Sequence, residues 1–453
     1  MVMSAHSDTI AALATPAGTA ALAVLRISGP DTLRLCTELF GKTPLPRQVS
    51  RGNYRDRQGA VVDDVLFTFF AGPKSYTGED TLEISCHGNP FIAQRILEDL
   101  HARGCRPANP GEFTQRAFLS GRMDLTQAEA VMDLIHARSN RALEAANRQL
   151  AGALAREMEA AIEELLGVLA RVEAYIDFPD EDLPPEDVDI LRRGVENLRR
   201  RAGRLLATSH YGAILREGMK TVLIGAPNVG KSSLLNQLVG RDRALVSPEA
   251  GTTRDFIEEQ IVVGSHSVRL IDTAGLNPSP TELERRGMEK TLERLGEADL
   301  VLLVVDGSQP AAPLPDSAAA RLVPEKTLVV ANKADLPRQF GAEGLLSGLE
   351  TVWVSALQAA GIEELTQAVE RRAQSFQVTG DEELVAVSAR HAHALERARK
   401  ALEEAAAKIE SRGAVELLAS DLREALEAFG GISGRVDNER MLDALFATFC
   451  IGK

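Results

Sequence analysis

No apolar run in this sequence comes close to the ~20 residues that span a bilayer. The longest, such as Leu300 to Val305 and Thr327 to Ala331, have the length of strands. A transmembrane helix is therefore excluded. The N-terminus has no basic stretch ahead of an apolar segment, carries Asp8 and is interrupted by Pro16 and Gly18, so it does not read as a secretion signal. The expected compartment is the cytoplasm, with no membrane partner. Cysteine is scarce: Cys36, Cys86, Cys105 and Cys450 show neither paired metal-ligand spacing nor the density of a disulfide framework. Reduced thiols and no structural zinc are expected, with His87 beside Cys86 read as strand packing. Positive charge is also short, the formal net charge being −14. That balance argues against a generally cationic nucleic-acid binder, so any RNA contact must use a local patch or a partner.

What is present is ample apolar residue, 44% of 453, with 26% charged. This is the balance of a soluble globular chain of about two to four units. From Ala20 to about Gly88, β-rich runs (ALAVLRISG, DVLFTFFAG, TLEISCHG) alternate with turn-rich spacers, and a short helix is predicted near Pro90. A helical region follows, with Thr126 and Glu129 read as a capping box. Leu143, Leu150, Leu154, Met158, Ile162, Leu165, Leu169, Val172 and Ile176 then recur at helical spacing. Pro179, Pro184 and Pro185 break that pattern ahead of a helix carrying Arg192, Arg193, Arg199, Arg200, Arg201 and Arg204. The arginines make either a solvated face or an RNA contact. Residues 216–378 alternate strands and helices, and helical periodicity returns through Leu384, Leu395, Leu402, Leu417, Leu422, Leu426 and Leu445. An α/β insertion within a helical bundle is the expected organisation.

The insertion opens with a strand, Thr221 to Ile224, then GAPNVGKSS, which has P-loop spacing from Gly225 to Gly230, Lys231 and Ser232 ahead of a helical segment. Its glycines let backbone N–H groups of the loop, including Asn228, Val229, Gly230 and Ser233, approach phosphate oxygens. Lys231 is expected on the β and γ phosphates and Ser232 on Mg²⁺. Asn332-Lys333-Ala334-Asp335 follows an apolar strand as a base-reading loop should. The Asp335 carboxylate can accept from guanine N1–H and N2–H₂, a donor pair adenine does not offer. Ser355, Ala356 and Leu357 fit the remaining guanine-side loop. Between them lie Gly251-Thr252-Thr253-Arg254-Asp255 and Asp272-Thr273-Ala274-Gly275, in the linear order of translation-factor-like GTPases. Thr253 is assigned to Mg²⁺, Asp272 to its outer shell and the Gly275 N–H to the γ phosphate. Leu276 stands where many signalling GTPases place a water-orienting Gln, so another group must position water and another positive charge must serve the transition state.

These motifs and their flanks resemble the tRNA-modification GTPase family called MnmE or TrmE. The resemblance covers nearly the whole chain: LRISG at Leu25 to Gly29, SYTGEDTLEISCHG at Ser75 to Gly88, PGEFTQRAFLSGRMDLTQAEAVMDLI at Pro110 to Ile135, the GTPase motifs and a terminal FCIGK. It implies a mixed α/β and α architecture. A small α/β folate-binding and dimerising domain spans 1–119, a discontinuous helical domain 120–215 and 379–453, and an inserted P-loop G domain 216–378.

The same resemblance implies GTP hydrolysis stimulated by K⁺ and by pairing of G domains. It places K⁺ on Asn228, with Ser247, Glu249 and Thr252 completing its shell. Read without the resemblance, Asn228 is open to tying the loop to neighbouring backbone. The family's water-orienting Glu falls on Glu284, with Glu282 as the alternative, because Asn277-Pro278 replaces the Arg-Glu usual after DTAGL. The one-carbon site, for 5,10-methylene- or 5-formyl-tetrahydrofolate, falls on Arg26, Glu83, Arg122 (Lys in the family) and Lys453. Arg26 and Arg122 are matched to the folate tail and Glu83 to the pterin. Cys450 has a functionally important family counterpart and is a candidate nucleophile, although nothing nearby in sequence supplies a base and a Cys between Phe449 and Ile451 is more often a small hydrophobe. The implied partners are a second copy, the FAD-binding MnmG (GidA) in a heterotetramer, and tRNA. The implied reaction adds a carboxymethylaminomethyl or aminomethyl group to carbon 5 of the wobble uridine. A ribosome-assembly or signalling switch GTPase is the rival reading.

Overall fold

Apolar alternation builds the first sheet. Its strands are β1 (Ile10–Leu13), β2 (Leu22–Ser28), β3 (Val49–Arg55), β4 (Val61–Phe70), β5 (Thr81–His87) and β6 (Arg106–Pro107), in the order β3-β4-β5-β2-β1-β6. All its pairings are antiparallel except β1 with β6. Leu25, Ile27, Val65, Phe67, Leu82 and Ile84 face one side of the sheet, where they bury against α1 (Thr32–Phe40) and α2 (Pro90–Ala102). The Asn89 side chain caps α2 by accepting from the Phe91 N–H at 2.9 Å. Two further helices are α3 (Glu112–Leu119) and α4 (Leu125–His136).

The computed structural model describes residues 8–177, 185–242, 258–273, 282–310, 313–341, 348–376, 386–434, 442 and 445–452. Its two compact units are Met1–Met132 with Gly430–Lys453, and Asp133–Phe429. Residues 120–132 and 430–453, which periodicity assigns to the helical bundle, therefore lie in the first unit. Leu125, Ala128, Leu442, Phe446 and Phe449 pack there in one cluster. Periodicity reports that a helix face is buried, not which neighbour buries it. The start of α4 also differs from the Thr126/Glu129 reading. Asp124 Oδ1 accepts from the Gln127 N–H at 3.0 Å while Gln127 Oε1 accepts from the Asp124 N–H at 3.0 Å, so the capping box sits two residues earlier.

In the second unit α5 (Asn140–Leu150), α6 (Ala153–Asp177), α7 (Pro185–Ala207) and α8 (Ser209–Glu217) precede the inserted sheet. Pro185 opens α7, whereas Pro179 and Pro184 lie outside the described residues. Leu154, Met158, Ile162, Leu165, Leu169 and Val172 are buried on α6 as their spacing requires. Leu143 is exposed, because the turn at Ala151-Gly152 resets the helical phase and α5 turns Ala142, Ala145 and Ala146 inward instead.

The inserted sheet comprises β7 (Met219–Ile224), β8 (Glu258–Val263), β9 (His266–Asp272), β10 (Leu300–Asp306), β11 (Thr327–Asn332) and β12 (Glu350–Trp353), ordered β12-β11-β10-β7-β9-β8. Every pairing is parallel except β8 with β9. Helices α9 (Lys231–Asp242), α10 (Glu282–Glu297), α11 (Asp316–Ala319) and α12 (Ile362–Ser375) accompany it. Strands covered on both faces become continuous apolar runs, as in Leu300 to Val304 and Leu328 to Ala331. The chain then continues through α13 (Ala389–Ser411), which packs along α7, and α14 (Val415–Ser433). Among described residues Leu395, Leu402 and Leu422 are buried, Leu417 is exposed beside buried Leu418, and Leu384 is not described. No helix of the described residues is long and apolar enough to cross a membrane.

Helix α8 joins these parts. His210 Nε2 lies 3.2 Å from Asp299 Oδ1 and its ring meets Phe376 edge-on at 5.2 Å. The Tyr211 hydroxyl and His266 Nε2 are 3.1 Å apart and buried. Arg216 donates to the Val387 carbonyl at 2.5 Å, so the chain entering the insertion touches the chain leaving it.

Candidate active site

The P-loop turns between β7 and α9 at the carboxyl ends of parallel strands, where open α/β sheets present their ligand crevice. Gly225 has φ +153°, and a Cβ there would stand 2.2 Å from the Val304 carbonyl oxygen. Only glycine fits. Lys231, 9% exposed, donates to the Gly225 and Ala226 carbonyls at 3.1 and 3.0 Å. Burial pushes its ammonium below the usual lysine range, and the Asp272 carboxylate pulls it partly back. A buried cation held at the turn of the loop is suited to phosphate oxygens.

Ser232 Oγ donates to Asp272 Oδ2 at 3.0 Å, while Asp272 Oδ1 is buried with no hydrogen-bond partner among the described residues. A buried carboxylate oxygen without a donor is costly. A hard divalent cation would relieve it, and hydroxyl with carboxylate is the oxygen set Mg²⁺ takes. These residues fit Mg²⁺. Thr273 Oγ1 donates to the Leu223 carbonyl at 2.7 Å and so ties the end of β9 to β7.

The base-side loops converge on the P-loop through Asn332. Its Nδ2 donates to the Val229 carbonyl at 2.8 Å and its Oδ1 accepts from the Ala356 N–H at 3.0 Å. Ser355 Oγ donates to Asp335 Oδ1 at 2.5 Å, which orients the carboxylate. Lys333 adopts φ +63° and pairs with Asp306 Oδ2 at 2.6 Å. Burial pushes the Asp306 carboxyl up, but bonds from Lys333 and Ser308 outweigh it and hold the group below the usual carboxylate range. A cleft of about 630 Å³ runs past Asn228, Gly230, Ser233, Asp335, Ala356 and Leu357. Asn228, at φ +62°, lies on the wall of this cleft.

Asn228, Val229, Gly230, Lys231, Ser232, Ser233, Asp272, Thr273, Asn332, Lys333, Asp335, Ser355, Ala356 and Leu357 thus all belong to the insertion's described part. Ser247, Glu249, Thr252, Thr253, Ala274, Gly275 and Lys453 lie outside the described residues. Glu284 falls within the first turn of α10, but its side chain is not described.

In the first unit Arg26 and Glu83 are register partners on β2 and β5. Arg26 Nε and Nη2 donate to Glu83 Oε1 at 3.0 and 2.8 Å, and Nη1 donates to the Gly452 carbonyl at 3.3 Å. The guanidinium lies 5.0 Å from the Tyr76 ring and 5.7 Å from that of Phe113. Arg26 and Glu83 therefore act on each other, beside the residue that precedes Lys453. Arg122 is exposed and makes no ion pair among the described residues. The exposed Cys450 caps Gly111 through its carbonyl, at 3.2 Å.

Several groups that organise these sites escape the sequence reading. Asp306 and the bridging role of Asn332 were not singled out, although Asp306 ends the apolar strand β10. Tyr76 and Phe113 gave no local signal. Neither did buried Arg116, which pairs with Asp8, Glu79 and Glu112 at 2.8, 3.1 and 3.0 Å.

Comparison with known proteins gives two family matches: a model described as the MnmE helical domain over residues 125–450, and one described as the GTP-binding protein TrmE N-terminus over 9–122. The tRNA modification GTPase MnmE of Opitutus terrae is 60% identical over 450 residues, covering 98% of this chain and 99% of that protein. The Akkermansia muciniphila protein of the same name is 45% identical and covers all of both chains. Among solved structures, Aquifex aeolicus Era bound to GDP and aluminium fluoride is 25% identical over 40% of this chain and 66% of its own, with TM-score 0.27. The G domain of the T. maritima FeoB iron transporter is 24% identical over 35% of this chain and 98% of its own, with TM-score 0.25.

Proposed function

This chain belongs to the tRNA modification GTPase MnmE family and is a GTP hydrolase acting in tRNA modification, and from that premise we propose that K⁺ stimulates its hydrolysis and that its target is the wobble uridine. In this reading it works as a homodimer with the FAD-dependent MnmG and adds a carboxymethylaminomethyl or aminomethyl group to carbon 5 from a tetrahydrofolate one-carbon unit. It acts in the cytoplasm. Within the second unit the G domain is taken as 216–378, with the helical domain on either side of it.

At the nucleotide, Lys231 and the loop N–H groups bind the phosphates, Asp335 selects guanine, and Ser232 with Thr253 would hold Mg²⁺. That ion supplies positive charge on the phosphate oxygens when bound. Asn228, Ser247, Glu249 and Thr252 are the proposed K⁺ ligands, and Glu284 is the proposed group that orients water in place of Leu276. Arg26, Glu83, Arg122 and Lys453 are assigned to folate, and Cys450 to chemistry at the same site. The observation that carries the reading is that one chain holds both the Lys231–Ser232–Asp272 constellation and, in its other unit, the Arg26–Glu83 pair beside Gly452.

Steady-state GTP hydrolysis in matched KCl and NaCl, with Asn228→Ala in parallel, tests the potassium assignment because ionic strength cancels. Stimulation confined to KCl and lost in the variant is expected. Equal rates in both salts would remove the K⁺ site. Nucleoside analysis of tRNA from cells lacking the gene tests the target: an unchanged wobble uridine, with ribosomal subunits bound instead of reduced folate, would favour the switch-GTPase rival.

A further inference from the structure

Leu191, Val195, Leu198, Ala202 and Leu205 are the buried positions of α7. Their spacing leaves Arg193, Asn197, Arg200 and Arg204 in a row on the opposite face. Arg192 and Arg199 are paired with carboxylates of their own helix, Asp189 and Glu196. The row is different. Arg193 donates to the Asp189 carbonyl, and Arg200 donates to Asn197 Oδ1 with Glu196 no nearer than 3.8 Å. Arg204 is exposed and makes no ion pair among the described residues. Three guanidinium groups with free donors therefore stand along roughly 16 Å of helix, on a chain whose net charge is −14.

A groove of about 630 Å³ runs beside this row against α6. Arg200, Arg201 and Arg204 line it, with Glu164 on the α6 wall. Arg201 Nη1 is buried with no acceptor among the described residues, and Glu157 is 3.9 Å from its Nε. A buried charged N–H without an acceptor is costly until one arrives. Gly203 forms part of the same wall, although a Cβ at that position would meet nothing within 4 Å.

We infer that this face of α7 binds the phosphate backbone of RNA, the exposed Arg193, Arg200 and Arg204 tracking successive phosphates with their remaining donors while the open Gly203 wall gives the strand room. The inference rests on the proposed tRNA target and assigns that RNA a docking surface. Glu164 repels phosphate on the far wall, which confines the strand to the α7 side. Phosphate contacts of this kind fix register without reading sequence.

The test uses the full chain and fluorescein-labelled unmodified tRNA, titrated between 50 and 200 mM KCl, for the wild type, R204Q and the triple variant R193Q/R200Q/R204Q. Each neutralised phosphate contributes about 0.7 to 0.9 to the slope of log affinity against log salt. The triple variant should lose roughly two units of slope and at least about tenfold in affinity near 100 mM, with R204Q intermediate and GTP hydrolysis unchanged in both. Wild-type binding with identical affinity and slope in the triple variant would overturn the inference and leave the tRNA target standing. Displacement by poly-glutamate as effective as by unlabelled tRNA would also overturn it, assigning the groove to an acidic polypeptide. Failure of the target itself would show separately, as wobble uridines unaffected by loss of the protein.

Discussion

Replacing Asn332 with Ala removes one side chain that serves two loops at once. Its Nδ2 satisfies the Val229 carbonyl and its Oδ1 the Ala356 N–H, and both partner residues are buried, at 7% and 5% exposure. A buried backbone group left without a partner costs about 1–3 kcal/mol. The two together make a loss of roughly 2–6 kcal/mol, the lower half applying if water enters the space vacated. Trp353 is the single tryptophan and sits on β12 beside Gly307 and Arg338. Its fluorescence therefore follows unfolding of the inserted sheet alone, which avoids treating a two-unit chain as one transition. With a urea dependence near 2 kcal/mol per molar, the midpoint should fall by about 1–3 M. Because Val229 and Ala356 flank the nucleotide cleft, fluorescent GDP should also bind at least tenfold more weakly. Asn332→Asp keeps an acceptor for Ala356 but sets an oxygen against the Val229 carbonyl, so it should be no better than Ala. A midpoint shift under 0.3 M with unchanged GDP affinity would refute the bridging role.

Other outcomes follow from single features. Gly225→Ala should abolish nucleotide binding in a titration, because its Cβ would stand 2.2 Å from the Val304 oxygen at φ +153°. Burial pushes Cys36 and Cys86 up to about 11 and Cys105 to about 12, whereas Cys450 is exposed. Ellman's reagent at pH 8 should therefore titrate one thiol of four quickly in the native protein, and Cys450→Ser should remove that phase. Burial, then Arg141, lowers the His266 pKa from 6.5 against a smaller opposite pull from Glu370. Below pH 6.5 the unfolded chain thus binds a proton that the folded chain refuses, so stability falls on acidification through that window. Trp353-monitored urea midpoints should drop from pH 7 to pH 5.5 in the wild type and drop less in His266→Gln. A steeper drop in the variant would contradict the sign.

The P-loop turn is legible because its geometry is written locally: Gly225, Gly230, Lys231 and Ser232 lie within eight positions of one another, and the structure gathers them at one turn between β7 and α9. Asn332 is equally important and was named, but its work is done on Val229 and Ala356, and no spacing rule reports a bridge between loops so far apart in the chain. The same limit explains Arg26. Sequence marked Arg26 and Glu83 as separate ligands, whereas antiparallel register makes them a bonded pair. Arg116 was invisible because a buried arginine reads as a surface charge until Asp8, Glu79 and Glu112 are seen around it. The helix start read at Thr126 and Glu129 differs because Asp124 and Gln127 bond each other's backbone N–H groups, which only the structure shows.

The contact of Arg216 with Val387 gives the inserted module the topology of a bead on a closed ring. To the flanking helices everything between those residues is one long loop whose ends already touch. Closure entropy grows only logarithmically, about 0.6 kcal/mol for each doubling of length. Lengthening or shortening the module therefore costs the helices little, provided that α8 keeps its grip on both strands of the neck. Such a chain can exchange its engine without rebuilding its chassis, and a short linker in place of the module is the minimal form of that exchange.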